Sequence, residues 1–383
     1  MAVGVSQRLV VVGAGVVGSA VAWRAAADRL ADEVLLVDPD PGSGASWVAG
    51  GMLAPVTEAW PGESELLELG AESLRRWPAF ADAVAAASGC DVGLRREGTL
   101  AVVVDAADRE DLDRVVAHLR SGGRDAERLT AREARRREPA LGPAVRAAIA
   151  VPDDLAVDNR LLLGALRTAG ERAGVGVRRT RAHRVVETSG RVTGLETDDG
   201  VLEASRVVVA AGAWSASLHP ALDGLVRPVK GEILRIRARR LSLPPPTRTV
   251  RAAVSGRAVY AVPRDGGRLV LGATQYEVGF DADVTVGGVR DLLHDAETVL
   301  PGIADYALEE SQASFRPGSA DNLPLLGAVG PEGLFAATGH GRNGILLTAL
   351  TADVLADALS DRALPAVAVP AAASRFARQE VAS

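Results

Sequence analysis

The sequence predicts an α/β fold, in which a Rossmann-like nucleotide-binding unit is combined with a unit built on an antiparallel sheet. A β-branched strand, a glycine-rich turn, a helix and a second strand follow one another within residues 8–38, the order found in mononucleotide-binding folds. Residues 98–105 and 258–274 alternate as sheet strands do, and a Gly-Gly pair at 266–267 predicts a hairpin turn. The 383 residues suffice for two domains or one large interleaved unit.

The first turn has the spacing Gly13-x-Gly15-x-x-Gly18 and lies between the strand "RLVVV" and an alanine-rich helix. In this arrangement Gly13 allows a tight turn, Gly15 lets the backbone approach a pyrophosphate, and Gly18 lets helix and strand pack closely. The helix N-terminus offers free N–H groups and a partial positive charge to the phosphates. We therefore expect these glycines, together with Val16 and Val17, to bind a dinucleotide.

An acidic residue, Asp38, ends the second strand, "EVLLVD", 20 residues after Gly18. Its carboxylate can accept hydrogen bonds from both ribose hydroxyls of an adenosine, and it would repel the 2′-phosphate of NADP. The strand, glycines, helix and terminal acid thus predict NAD or FAD and do not choose between them.

Three later segments favour FAD. Residues 42–51 are crowded with small side chains and have no helical or alternating period, as expected where a flat isoalloxazine ring lies against backbone. "ASRVVVAAGAWS" (204–215) predicts another buried strand, and residues 333–359 predict a strand, a glycine turn and a long helix. Because an NAD domain is normally contiguous, nucleotide-like elements at both ends and in the middle favour FAD. The candidate contacts in these segments are Ser46, Gly50, Gly51, Met52, Gly212, His340, Gly341, Asn343, Gly344 and Ile345. A structural role in the turn is the alternative for His340.

Composition excludes several classes of function. The net charge of −6 argues against binding to nucleic acid or to an anionic membrane surface. The single cysteine, Cys90, has no partner for an internal disulfide, and the five histidines lack the spacing of metal ligands. No stretch reaches the roughly 18 uninterrupted apolar residues of a membrane span, and no signal sequence precedes the first strand. We expect a cytoplasmic protein without a bound metal.

Eight stretches resemble the FAD-dependent amine oxidases of the D-amino-acid oxidase superfamily, and most closely the glycine oxidases of thiamine biosynthesis. They are "GAGVVGSAVAWRAA", "GGMLAP", "REGTLAV", "EPAL", "RPVKGEILR", "VYAVPRDGGRLVLGAT", "RPGSADNLPLLG" and "ATGHGRNGILL". The resemblance implies a Rossmann-like FAD-binding domain interleaved with an antiparallel-sheet substrate domain. The FAD-binding domain would comprise residues 1–80, 148–222 and 312–383, and the substrate-binding domain residues 81–147 and 223–311.

The resemblance also implies three active-site residues. Oxidation of an α-amino acid requires the protein to hold the carboxylate, orient Cα and exclude water, and a bidentate guanidinium suits the first task. Arg316 in "SFRPGS" matches the family's carboxylate-binding position, with a buried salt bridge as the alternative. Arg342 matches a second active-site arginine, or else pairs with a nearby acid, and Tyr260 matches an active-site tyrosine or simply packs. Cys90 lies outside every FAD motif, so we expect non-covalent FAD.

The function that follows is oxidation of glycine or another small D- or N-methyl amino acid by molecular oxygen, which releases keto acid, ammonia and hydrogen peroxide. The alternatives are a flavin dehydrogenase that uses another electron acceptor and, less favoured, a non-catalytic FAD-binding protein. The expected partners are the amino acid and oxygen, with a homo-oligomer among the expected states. The sequence departs from the family at Gln275 and at Gly341, where an aromatic residue is common. We therefore expect a pocket wider than glycine requires.

Overall fold

Eight α-helices and twenty strands make up the part of the chain that the computed structural model describes, residues 7–58, 62–104, 106–121, 124 and 126–376. The helices are α1 (Val16–Ala27), α2 (Ala45–Val48), α3 (Ser64–Ser88), α4 (Ala106–Ser121), α5 (Ala131–Arg137), α6 (Asn159–Arg172), α7 (Val286–Val299) and α8 (Gly344–Leu359). The strands are β1 (Arg8–Val12), β2 (Glu33–Val37), β3 (Met52–Leu53), β4 (Leu94–Arg95), β5 (Thr99–Val103), β6 (Glu127–Thr130), β7 (Ala147–Val151), β8 (Leu155–Val157), β9 (Gly176–Arg178), β10 (Ala182–Thr188), β11 (Arg191–Thr197), β12 (Gly200–Glu203), β13 (Arg206–Val209), β14 (Val226–Arg237), β15 (Thr249–Val254), β16 (Arg257–Arg264), β17 (Arg268–Gly272), β18 (Ala307–Ser319), β19 (Leu325–Ala328) and β20 (Leu334–Thr338).

A six-stranded sheet contains the predicted nucleotide-binding elements, in the order β19-β20-β13-β1-β2-β9. All neighbours are parallel except β19 and β20. Helices α1 and α8 cover one face, where Leu347, Leu350 and Val354 join the same core as the strands, as their spacing in the sequence predicts. The small sheet β10-β11-β12 contributes to the core on the other face. Burial on both faces explains the continuous apolar runs of β1 and β13.

An eight-stranded sheet, in the order β18-β14-β17-β16-β15-β5-β7-β6, forms the second large layer. The predicted antiparallel sheet is confirmed with one exception, because β15 and β5 run parallel. A parallel pair needs a long connection, and the chain between these two strands provides one. The predicted hairpin turn joins β16 to β17, where Gly266 and Gly267 have φ of 70° and 73°. Helix α7 packs against this sheet and shares its core.

The glycine-rich segment after β2 is more structured than its lack of periodicity suggested. It contains the four-residue helix α2 and the short strand β3, which pairs with β8. The Asn159 side chain donates to the carbonyls of Ser46 and Trp47 at 2.8 and 2.9 Å, which fixes the segment against α6. Four residues are too few to show a helical period, so the sequence could not reveal this helix.

We propose a division into two domains with boundaries that follow the sheets. The predicted boundaries at 80, 148 and 312 fall inside α3, β7 and β18. Both of these strands belong to the eight-stranded sheet, in which β7 pairs with β5 and β18 pairs with β14. We place the cofactor domain at residues 1–95, 152–222 and 320–383, and the substrate domain at 96–151 and 223–319. Residues 1–6, 59–61, 105, 122, 123, 125 and 377–383 of these segments lie outside the described residues. None of the described helices has both the length and the apolar character needed to cross a membrane.

Candidate active site

A cavity of about 780 Å³ is lined by residues of both large sheets. One part is formed by the turn after β1, the end of β2 and residues 181–183 at the start of β10. Another part is formed by β14, β16 and β18. The glycine-rich segment 43–52 and the start of α8 also contribute to the wall. The cavity thus brings together segments that are more than 300 residues apart in the chain.

The turn after β1 and the first turn of α1 each require a glycine. Gly13 has φ of 105°, and a Cβ there would lie 2.3 Å from the carbonyl oxygen of Ala210. A Cβ on Gly18 would lie 1.9 Å from the carbonyl oxygen of Gly13. Gly18 therefore permits close packing of α1 on β1 and does not line the cavity itself.

The first turn of α1 faces the cavity. Its N-cap, Gly15, has no side chain to satisfy the first N–H groups, and only Val16 N donates to a side chain, that of Ser46, at 3.0 Å. The remaining N–H groups of the first turn, and the positive end of the helix dipole, suit an anionic pyrophosphate. Val17 lines the cavity beside them, as the sequence predicted for a cofactor contact.

Asp38 lies at the end of β2 and lines the cavity. Its Oδ2 accepts from Ala14 N at 2.7 Å and its Oδ1 accepts from Asp40 N at 2.8 Å. The carboxylate therefore braces the glycine turn, and its remaining lone pairs can accept hydrogen bonds from a ligand in the cavity.

Replacing Asp38 by alanine is expected to weaken retention of FAD, because both the ribose acceptor and the brace on Ala14 N are lost. We expect about a tenfold or greater rise in the dissociation constant of FAD, measured by titration of the apoprotein. Turnover at saturating FAD should stay within about twofold of the parent, since Asp38 follows β2 of the six-stranded sheet whereas Arg316 lies on β18 of the eight-stranded sheet. Equal retention of FAD by parent and variant would contradict the assignment.

Most of the other predicted cofactor residues line the same cavity. They are Ser46, Gly50, Gly51, Met52, Gly212, His340, Gly341, Gly344 and Ile345. Asn343 does not, because its side chain is buried and faces a small neighbouring cleft. The sequence did not single out Arg181, just before β10, or His183, on β10, which both line the cavity. An exposed arginine and histidine on a surface strand give no signal of a site.

His340 lines the cavity and also has a structural role in the turn. Its ring is buried and its Nε2 lies 3.0 Å from Thr351 Oγ1 on α8. Burial lowers the pKa of His340 to about 4. The imidazole is therefore neutral at physiological pH and adds no charge to the cavity.

Two glycines on the eight-stranded sheet let Arg316 and Tyr260 lie flat against it. A Cβ on Gly231 of β14 would lie 2.4 Å from Arg316 Nη1, and a Cβ on Gly272 of β17 would lie 2.4 Å from the Tyr260 hydroxyl. Strands β14 and β17 are neighbours and lie between β18 and β16. The two side chains therefore extend over these glycines from opposite sides and approach each other in the cavity.

Arg316 is available to an external carboxylate. Its Nη1 donates to the carbonyl oxygen of Thr274 at 3.1 Å, and in the described residues it makes no ion pair. The structure therefore does not show the salt bridge that was the alternative for this residue. The remaining N–H groups can form a bidentate contact with a carboxylate.

Tyr260 is a neutral hydrogen-bond donor. Burial raises the pKa of Tyr260 to about 12, although the positive charge of Arg316 opposes this rise. Its ring packs so close to Gly50 that a Cβ there would lie 2.7 Å from it. The hydroxyl makes no hydrogen bond to another described residue, so it can donate to a bound molecule.

Arg342 lines the cavity, but its guanidinium also has protein partners. Its Nη2 lies 2.5 Å from Glu63 Oε2 and donates to the carbonyl oxygen of Glu58 at 3.3 Å. The pairing with an acid, which was the alternative for Arg342, is thus present. Its position by the cavity at the start of α8 still adds positive potential to the site.

A third arginine, Arg251, was missed by sequence reasoning. It is opposite Tyr260 in the β15–β16 pairing, on the same face of the sheet, and it lines the cavity. It donates to the carbonyl oxygen of Thr57, and its Nη2 is 3.4 Å from Glu58 Oε1. Arg251 is recognised as a residue of the site only from its pairing with Tyr260, and the sequence alone does not show that pairing.

Asp154 lies behind this wall and is completely buried. Burial raises the pKa of Asp154 to about 7, although a hydrogen bond from Thr57 and the charge of Arg251 oppose this rise. Because this pKa lies above the ordinary 3.8, the folded chain binds a proton that the unfolded chain releases between about pH 4 and 7. Stability therefore falls as pH rises through that window.

Replacing Asp154 by asparagine is expected to remove this dependence, since an amide keeps the size of the group without its charge. The gain in the free energy of unfolding over the parent should be about 1–3 kcal/mol greater at pH 8 than at pH 5. Denaturant unfolding of both proteins at both pH values measures it. A gain that is the same at the two values would show that Asp154 does not titrate in this window.

The cavity fits FAD. The uncapped first turn of α1 suits the phosphates of a flavin dinucleotide, and the acid at the end of β2 suits its ribose. The glycine-lined part of the cavity toward β16 suits its ring system. The family model described as "FAD dependent oxidoreductase" matches residues 8–358, nearly the whole chain. The chain belongs to this family of FAD-dependent oxidoreductases.

Relatives of this oxidoreductase with known names support the same family. It is 36% identical to the glycine oxidase of Geobacillus kaustophilus over 91% of each chain. The crystal structure of glycine oxidase from that organism superposes with a TM-score of 0.88 at 34% identity and covers 97% of this chain and 99% of the other. The chain is also 32% identical to a bifunctional ThiO/ThiG protein of Synechocystis, of which it spans about half, 52%. The fold class and the predicted family are thereby confirmed.

Proposed function

We propose that this protein oxidises a small α-amino acid to its imine while oxygen is reduced to hydrogen peroxide. Water then converts the imine to the keto acid and the amine, which is ammonia when the substrate is a primary amino acid such as glycine. The observation that carries the proposal is Arg316, whose guanidinium faces the cavity beside Tyr260 without an ion-pair partner among the described residues. An unpaired guanidinium in a partly buried site calls for an anionic ligand. Glycine, which the glycine oxidases similar to this chain act on, carries such an anionic group, its carboxylate.

The protein's own residues bind and orient the substrate. Arg316 binds the carboxylate with two N–H groups, and the Tyr260 hydroxyl donates to one of its oxygens. The two contacts fix the direction of the Cα–H bond relative to the flavin space. FAD, when bound, supplies the hydride acceptor. The amine reacts in its neutral form, and its lone pair assists loss of the hydride, so no side-chain base is required.

The pocket is open beside Gly341. A Cβ on Gly341 would meet no atom within 4 Å, and Ala258 and Gln275 line the same cavity. Each buried CH₂ of a larger substrate adds roughly 0.8 kcal/mol to binding. We propose that sarcosine, D-alanine or a cyclic amino acid such as D-proline is used at least as well as glycine.

Oxygen consumption coupled to peroxide detection, with glycine, sarcosine, D-alanine and D-proline, tests this proposal. Stoichiometric peroxide with at least one of them is the expected result. Reduction of an artificial acceptor without oxygen uptake would indicate a dehydrogenase. A protein that binds FAD and shows neither activity would indicate a non-catalytic role.

We further propose non-covalent FAD, since Cys90 is exposed and does not line the cavity. Intact FAD should then be released by acid precipitation. We propose the cytoplasm as the location, and thiamine biosynthesis as the pathway on the strength of the ThiO/ThiG relatives. A homo-oligomeric state stays a prediction.

A further inference from the structure

A buried carboxylate, Glu232, lies on β14 next to Gly231, the residue that accommodates Arg316. Gly231 faces the cavity, so the alternation of a strand places Glu232 on the opposite face of the sheet. Glu232 has no exposed surface, and its ion-pair partner Lys230 is 3.8 Å away at the nearest atoms. A charge buried at this depth needs hydrogen bonds to compensate for lost hydration.

The start of α7 provides part of that compensation. Thr285, the N-cap of this helix, donates its N–H to Glu232 Oε1 at 2.8 Å. A Cβ on Gly288, in the first turn, would lie 1.7 Å from Glu232 Oε2, so the helix packs directly on the carboxylate. The positive end of the helix dipole stabilises the negative charge. Glu232 is therefore held firmly.

Thr274 connects Glu232 to Arg316. Its Oγ1 accepts from Glu232 N at 2.9 Å and lies 3.3 Å from Glu232 Oε2, to which it can donate. Its N–H donates to the carbonyl oxygen of Glu232 at 3.3 Å. Its own carbonyl oxygen accepts from Arg316 Nη1 at 3.1 Å. One residue thus makes three hydrogen bonds to the buried glutamate and one to the guanidinium.

We propose that Glu232 and Thr274 are positioning residues that set the orientation of the Arg316 guanidinium for the substrate carboxylate. A bidentate contact depends on the plane of the guanidinium as well as on its charge. Gly231 leaves room for the planar guanidinium of Arg316, and the Thr274 carbonyl oxygen holds its Nη1 atom in place. The inference rests on the proposed function, in which Arg316 binds the carboxylate.

The first test is the nearly isosteric change Thr274→Val, which removes the side-chain hydrogen bonds to Glu232. We expect KM for the best amino acid to rise about three- to tenfold while kcat stays within about twofold. Acetate, a carboxylate without an amine, serves as a second probe. Its dissociation constant, read from the absorbance of bound FAD in the holoenzyme, should rise by the same factor. Thr274→Ser keeps the hydroxyl and should restore both values.

The second variant, Glu232→Gln, keeps the size of the side chain and removes its charge. It should raise the same two constants by about threefold or more. Asp295→Asn is the matched control, because Asp295 is also a buried carboxylate of this layer but is bound to Arg257 at 2.8 and 2.6 Å. Among the described residues, the Asp295 side chain has no hydrogen bond to Glu232, Thr274 or Arg316. Both constants should be unchanged in the control, even if its melting temperature falls.

Three outcomes separate the possibilities. If Thr274→Val and Glu232→Gln leave both constants within twofold while Arg316→Lys raises them, the positioning role is wrong and the proposed function stands. If Asp295→Asn raises them equally, the effect is a general loss of stability, and the inference is overturned. If Arg316→Lys also leaves them unchanged, the carboxylate is bound elsewhere, and the part of the proposed function that assigns it to Arg316 fails.

Discussion

Arg316→Lys is expected to lower kcat/KM for the preferred amino acid by about ten- to a thousand-fold, equivalent to about 1.5–4 kcal/mol of transition-state stabilisation. Lysine keeps the positive charge but loses the planar fork that binds both carboxylate oxygens. Steady-state kinetics with measured FAD content provide the test, and the FAD content should equal that of the parent.

Two further arginines serve as controls for this result. Arg237, at the end of β14, forms a partly exposed ion pair with Glu309 of β18, the strand that carries Arg316. Arg237→Lys should leave the kinetics unchanged. Arg342→Lys should have a smaller effect than Arg316→Lys, because the Arg342 guanidinium is already bonded to Glu63. An Arg342 variant that is more impaired than the Arg316 variant would transfer the carboxylate-binding role to Arg342.

Gly18→Ala is expected to abolish stable binding of FAD. A Cβ at 1.9 Å from the Gly13 carbonyl oxygen forces α1 away from β1, and the turn that receives the pyrophosphate moves with it. Overpacking of this kind also costs about 1–3 kcal/mol of stability. The purified variant should be colourless, or should lose FAD on gel filtration under conditions in which the parent stays yellow.

Gly164→Ala is the matched control for this substitution. Gly164 lies in the helix α6, and a Cβ there would meet no atom within 4 Å. Alanine should therefore leave FAD binding unchanged and stabilise the helix by about 0.5–1 kcal/mol. If Gly18→Ala retains FAD as well as Gly164→Ala does, the close helix–strand contact does not govern the cofactor site.

The glycine turn and the acid of the nucleotide-binding half were predictable from sequence because they lie within one short stretch of chain. Gly18 packs on the carbonyl of Gly13, Gly13 has a positive φ, and Asp38 follows the neighbouring strand. Such requirements appear as fixed spacings in a short stretch. The small helix α2, by contrast, is too short to produce a period and was not predicted.

The substrate half depends on strand register, which a single sequence does not specify. Arg316 and Tyr260 were predicted as active-site residues only through resemblance to a family. Their side chains come close to each other because Gly231 and Gly272 lie on the strands between them. Arg251 was missed for the same reason, since an arginine on an alternating strand is typical of a solvent-facing position. The hydrogen bonds from Glu232 through Thr274 likewise depend on a connection that only the fold reveals.

The order of the six-stranded sheet has a consequence for synthesis of the chain. Its central strand β13 is bordered by β1, which is made first, and by β20, which is made some 320 residues later. Contacts between such distant segments give a high contact order and slow folding, and domains assembled from them cannot complete during translation. We expect a ribosome-bound chain stopped before Leu334 to be cut by protease within β1 or β13. Full-length chains, in which β20 can pair with β13, should resist the same protease.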